Sequence, residues 1–294
     1  MITPDPNQQS LQDEIIALER RLLEAKSRLN VNGVDRPLSL TESSNGALHT
    51  LLLLADSALP LGSFAFSSGL ESYLAHHRPS PPSASQVPSF HRFLHLSLSS
   101  LASTALPYTL AAYRHPELIN DLDNDFDAST PCTVARRASV AQGRALLSVW
   151  DRSFKSHYAS SALSNNSNVE IDASIAFQDL LRNPPPGPPE SQPNAHLAPL
   201  WGLLTRILGL PLHESAYLFL FSHVRTVTSA AVRASVLGPY QAQAVLASGE
   251  LREKIQALVG EMWDVKVEDA GLSVPVMDLW VGRHEMLYSR IFNS

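Results

Sequence analysis

The sequence predicts an all-α protein: a single helical bundle domain of about nine to ten helices with an N-terminal helical extension. Three observations carry this reading. From Ala47 onward apolar residues recur with helical period almost everywhere, and the alternation expected of half-buried strands is scarce. The 294 residues are 44% hydrophobic, enough to bury one sizeable core. Low-complexity runs break the helical stretches near 79–88, 160–168 and 183–195, and the proline-rich first and last of these cannot continue a helix.

In chain order, residues 1–46 read as an amphipathic helix and a linker. Leu11, Ile15, Leu18, Leu22, Ala25 and Leu29 follow a 4-3-4-3-4 spacing, and Glu24 with Arg28 forms an i,i+4 pair. Asn30 to Asn45 is a linker by composition. The remaining chain, 47–294, is expected to hold helices over 47–56, 67–77, 87–105, 107–118, 132–158, 170–182, 196–208, 212–236 and 250–262.

The stretch ADSALPLGSFAFSSGLE, 55–71, punctuates the first two of these. It lacks the lysine of a Walker-type phosphate loop and the G-x-S-x-G of a nucleophile elbow, so both catalytic readings fail on spacing. Backbone logic fits instead. Pro60 ends one helix, Gly62 permits a positive φ, and Ser68-Gly69-Leu70-Glu71 has capping-box spacing for the next. The result is a helix-turn-helix corner on which Phe64 and Phe66 are expected to pack inward, with presentation to a partner as the alternative.

Chemistry is sparse. Asp121, Asp123, Asp125 and Asp127 alternate like the start of a calcium loop, but Phe126 stands at the position that requires glycine and Cys132 where a bidentate glutamate belongs. A solvated acidic loop is the expectation. Among the eleven histidines, His91 and His95 lie four apart without the H-E-x-x-H pattern, and the neighbours His76 and His77 are expected on different helix faces. No Ser, His and Asp set assembles from spacing, so no catalytic residue and no intrinsic metal site is assigned. The segment VGRHEMLYSRIFNS differs in kind, because it concentrates the arginine and aromatic side chains that anchor interfaces.

Charge and composition exclude further classes. Lys plus Arg is 22 against 28 for Asp plus Glu, a net charge of −6 with no basic run, which disfavours nucleic acid and anionic membranes. Cys132 is the single cysteine, so no internal disulfide or cysteine zinc site exists. No signal-type segment opens the chain, and its apolar runs fall far short of the ~20 residues of a bilayer span. A cytoplasmic protein is expected.

Four segments, DSALPLGSFAFSSGLE at 56–71, R-x-x-S-x-x-x-G-R-x-L at Arg136, Ser139, Gly143, Arg144 and Leu146, the run 198–243, and RHEMLYSRIFNS at 283–294, together resemble one family, the urease accessory protein UreF. The likeness spans about 47–294. Trp280, Val281 and Gly282 depart from it, standing where the family more often carries small and apolar helical residues.

The resemblance implies an all-α homodimer without catalytic activity, bridging a UreD/UreH-type accessory protein and the GTPase UreG during nickel delivery to apo-urease. It implies a partner-binding tail at Arg283, His284, Tyr288, Ser289, Arg290 and Phe292. The loop bearing Gly62, Phe64 and Phe66 would shape the core and the neighbouring contact surface. No cofactor is intrinsic, and nickel would be bound transiently. Two other functions compete: a non-urease helical metal-binding enzyme built on the histidines, and regulation of the GTPase by Arg136, Arg144, Arg225 or Arg233 acting in trans.

Overall fold

In the computed structural model, residues 40–294 are described except 78–79, 82–83, 157, 159–168, 185, 187–191 and 294, with side chains from Gly46 onward. The amphipathic segment 11–29 and the serine-rich run 160–168 lie outside the described residues. Among the described residues every regular element is helical and no strand occurs, so the protein is all-α.

The core is organised around α8, Leu197–Ile207, whose residues Ala198 to Thr205 are all buried. A helix apolar on every face belongs at the centre of its neighbours. Around it pack α4 (Leu106–Arg114), α5 (Ile119–Ser129), α6 (Thr133–Val149), α7 (Val169–Arg182) and α9 (Leu212–Arg233), with α4 and α6 making the most extensive contacts. Glycine allows the two closest approaches. A Cβ at Gly202 would stand 2.1 Å from the Thr109 carbonyl oxygen of α4, and one at Gly143 of α6 would stand 2.1 Å from the Ala195 carbonyl oxygen. The helix α1 (Leu40–Ala55) is tied to this centre by Thr50, whose hydroxyl donates to the Leu208 carbonyl at 3.1 Å. It begins inside the stretch read as linker: nothing between Thr41 and Gly46 forbids extending a helix already nucleated downstream, and propagation is cheap compared with nucleation.

The outer helices are α2 (Leu70–His76), α3 (Val87–Thr104), α10 (Pro239–Leu246), α11 (Gly249–Met262) and α12 (Val276–Arg283). Several boundaries depart from expectation. The helix expected over 107–118 stops at Arg114, because Pro116 has no N–H to donate, and a 3-10 turn intervenes before α5. The helix expected over 132–158 widens into a π turn at Trp150–Phe154. The helix expected to reach 236 ends at Arg233, where Ser235 adopts φ 59°. Neither α10 nor α12 was expected; both are eight residues long and begin at or just after a proline, a good first-turn residue that sequence patterning registers only as a break.

The acidic segment is the largest correction. Asp121 to Asp127 is not a solvated loop but part of α5, with Asp123 and Asp127 buried. Ile119, Leu122 and Phe126 supply an i, i+3, i+7 apolar stripe, and the two aspartates, four apart, share a second face turned inward.

Candidate functional site

The sequence-predicted segments meet at two places. The first gathers α5, α6 and the irregular residues 194–196 that lead into α8. Asp123 accepts the main-chain N–H groups of Asn194 (2.6 Å), Ala195 (3.0 Å) and His196 (2.6 Å). His196 is fully buried, with Nε2 at 2.9 Å from Asp127 Oδ1 and Nδ1 at 3.1 Å from Ser139 Oγ. Arg136 forms an ion pair with Asp127 at 3.0 Å, and Arg144 Nε donates to the Asn194 carbonyl at 3.2 Å. Each polar member of R-x-x-S-x-x-x-G-R-x-L is thus engaged in seating the start of α8 or in bracing its Asp127–His196 support, Gly143 leaves room for that seat, and Leu146 is buried.

Spacing alone had assembled no Ser, His and Asp set, yet the fold brings Ser139, His196 and Asp127 into contact in that order. The ring is reversed relative to a hydrolase triad: the serine meets Nδ1 and the acid meets Nε2. Ser139 Oγ also accepts the Leu197 N–H at 3.2 Å, so its hydroxyl serves as a helix cap.

The second place joins the corner 55–71 to the C-terminal segment. Gly62 has φ 69°, as its position in the turn requires, and Ser63 reaches α6 through a 2.9 Å hydrogen bond to Gln142. The capping box does not form. Gly69, at φ 88°, is itself the N-cap of α2, and the backbone of α12 lies so close that a Cβ there would meet Val281 N at 3.1 Å. Released from capping, the Glu71 carboxylate accepts from His284 Nε2 (2.9 Å) and from the N–H groups of Ile291 (2.7 Å) and Phe292 (3.2 Å). Asn293 N–H donates to the Ala65 carbonyl at 2.8 Å, and Arg137 of α6 pairs with Glu285 at 2.7 Å. The Arg233 guanidinium of α9 lies 4.4 Å from the Phe292 ring centre.

The nine residues predicted to bind a partner therefore divide. His284 and Phe292 are buried as anchors against the protein's own body. Tyr288 is fully exposed, Arg283, Ser289 and Arg290 are exposed, and Phe64 is 71% exposed, contrary to inward packing. Gly62 and Phe66 are half-buried, Phe66 on the wall of a cavity. Sequence reading missed Glu71, Arg137 and Arg233 as anchors and Met286 and Ile291 as exposed neighbours. Glu71 carried a signal, but it pointed to the helix start, since its true partners lie 213 to 221 residues away.

The cavity beside this corner measures about 240 Å³ and is bounded by Leu61, Phe66, Ser97, Ser222, His223 and Met277 among others. His223 Nε2 lies 3.0 Å from Ser97 Oγ, and burial lowers its pKa to about 4. Desolvation raises the Asp278 carboxyl in the same wall. The imidazole is thus neutral near pH 7, and the chamber offers hydroxyls and a ring nitrogen without a fixed positive charge.

The histidines are placed as follows. Among the described residues no three His, Cys, Asp or Glu side chains are grouped to hold an ion. His95 faces Glu250 at 3.6 Å. His76 and His77 do not diverge: their rings lie 5.6 and 4.7 Å from that of Trp280, and each Nδ1 lies within hydrogen-bond distance of the carbonyl four residues back. The four arginines considered for action in trans are engaged internally: Arg136, Arg144 and Arg233 as described, and Arg225 as a donor to the Ala55 carbonyl that ties α9 to α1. No helix among the described residues is long and apolar enough to cross a membrane.

Comparison with known proteins adds a common theme. The UreF family model matches residues 85–250. The chain is similar to a Schizosaccharomyces pombe protein described as urease accessory protein UreF-like, 35% identical over 246 residues, covering 84% of this chain and 97% of the relative. It is similar to urease accessory protein F of Arabidopsis thaliana, 28% identical over 245 residues, covering 82% and 90%. The Paenarthrobacter aurescens urease accessory protein UreF is 29% identical over 244 residues, covering 82% and 95%.

Proposed function

Because this chain belongs to the UreF family of urease accessory proteins, we propose that it bridges a UreD/UreH-type accessory protein and the GTPase UreG while nickel is delivered to apo-urease. It acts in the cytoplasm as a homodimeric scaffold, and the reactive chemistry belongs to its partners.

One observation carries the docking half of this reading: the corner 62–66 and the segment 283–293 form a single surface. Ala65 and Glu71 hold the segment from one side, Arg137 and Arg233 from others, while Phe64, Met286, Tyr288, Arg290 and Ile291 face outward. Exposed aromatic and arginine side chains on an immobilised backbone are what an interface anchor requires, because little ordering cost remains at association. The UreD/UreH-type protein docks on this surface. UreG engages elsewhere on the helical body and supplies the nucleotide chemistry. Nickel is cargo, passed on through transient imidazole and carboxylate contacts weak enough to release it.

Urease activity in cells of the source organism lacking this protein tests the reading. Activity should be lost and restored by the full chain. Recovery with excess nickel assigns the role to delivery, and persistent loss assigns it to assembly. Undiminished urease in the deleted cells removes the proposal.

A further inference from the structure

Glu71 makes contacts that the folding of α2 does not require. A capping-box glutamate would bend back to its own helix start; this one reaches across to a segment more than two hundred residues away and binds it at both ends. At the start of that segment His284 Nε2 donates to Glu71 Oε2 at 2.9 Å, and at its end the Ile291 and Phe292 N–H groups donate to Oε1 and Oε2 at 2.7 and 3.2 Å. Between these points every residue but the half-buried Leu287 is exposed. Met286 is 83% and Ile291 64% exposed, Tyr288 is fully exposed, and Arg290 stands free of any described partner. A stretch bearing three exposed apolar side chains in seven residues does not stay in one conformation by its own packing. It needs an external clamp.

We propose that Glu71 is the positioning residue of the docking surface: one carboxylate gathers residues 284 and 291–292 so that 285–291 stand out as a preformed hook for a protein partner. This rests on the docking reading above and adds the device that makes the hook competent. The occupant it fits is an apolar groove edged by carboxylates. The outward side chains are Met286, Tyr288 and Ile291 with Phe64 beside them, and the exposed cations are Arg283 and Arg290. Glu285, the acidic residue within the hook, is already neutralised by Arg137 at 2.7 Å. Fixing the hook in advance removes from association the entropy of ordering about seven residues, so loss of the clamp lowers affinity in addition to what it costs the fold.

The test uses the full chain and the UreD/UreH-type protein of the same organism, with the dissociation constant measured for wild type, a chain lacking 283–294, and Glu71→Gln. Amide exchange at Ile291 and Phe292 reports the clamp directly. The expectation is loss of binding on deletion, and at least tenfold weaker binding with accelerated exchange at those two amides in Glu71→Gln. A cysteine pair, Ala65→Cys with Asn293→Cys, joins positions that already share a main-chain hydrogen bond. Oxidised in the Glu71→Gln background, it should recover most of the affinity, which a merely destabilised fold would not do. If deletion abolishes binding while Glu71→Gln binds like wild type despite released amides, the clamp is overturned and the docking reading stands. If deletion leaves binding unchanged, the docking reading falls and the clamp falls with it.

Discussion

At Asp123 one carboxylate accepts three consecutive main-chain N–H groups and thereby fixes where the central helix begins. Hydrogen bonds to a charged group contribute roughly twice what neutral ones do, and loss of the acceptor strands buried donors. Asp123→Asn should therefore cost about 3 kcal/mol in denaturant unfolding, whereas Asp121→Asn, on the exposed face, should change little. His223 makes a second residue-scale prediction through pH. The unfolded ring takes up its proton near 6.5 and the folded one near 4, so the folded state resists protonation across that window. Stability is complete above pH 6.5 and falls as pH drops toward 4, by up to about 3 kcal/mol, and flattens below. His223→Gln should abolish that part of the slope. An unchanged slope would mean that the cavity hydrates the imidazolium freely.

At the scale of elements, two glycines decide how closely helices approach. Gly143→Ala must push α6 away from the residues leading into α8, since the new Cβ would meet backbone that cannot rotate aside. A loss of about 3 kcal/mol or more is expected by thermal or denaturant unfolding. Gly260, within α11 and with no atom near a built Cβ, is the contrast: Gly260→Ala should stabilise by about 0.5–1 kcal/mol. The long apolar helices α3, α8 and α9 were legible because their periodicity is local, and Gly62 was legible because a glycine two residues after a helix-ending proline is free to take a positive φ. The helix α5 was not. Its aspartates resemble a solvated loop until the donors at 194–196, about seventy residues away, are folded against them. For the same reason Glu71 read as a cap: its local spacing was right, and only tertiary contact redirected it.

At the scale of the whole molecule, buried polar groups of the described helices hold the fold together: the R-x-x-S-x-x-x-G-R-x-L motif seats the central helix, and the corner at 62–71 receives the C-terminal segment. Sequence alone located both candidate partner segments but had no means of joining them, because the contacts from Ala65 to Asn293 and from Glu71 to Phe292 span nearly the full described chain. Nor could it separate anchors from outward residues, since an arginine- and aromatic-rich stretch looks the same whichever side chains turn in. Burial of His284 and Phe292 makes that division and leaves Phe64, Tyr288 and Arg290 exposed, the side chains that the proposed docking surface would offer. The affinity of a Phe64→Ala/Tyr288→Ala double variant for the UreD/UreH-type protein tests this most directly, because both side chains are exposed and folding should be unaffected. Binding at least a hundredfold weaker than wild type, at unchanged thermal stability, is the predicted result; wild-type affinity in the folded variant would contradict the account.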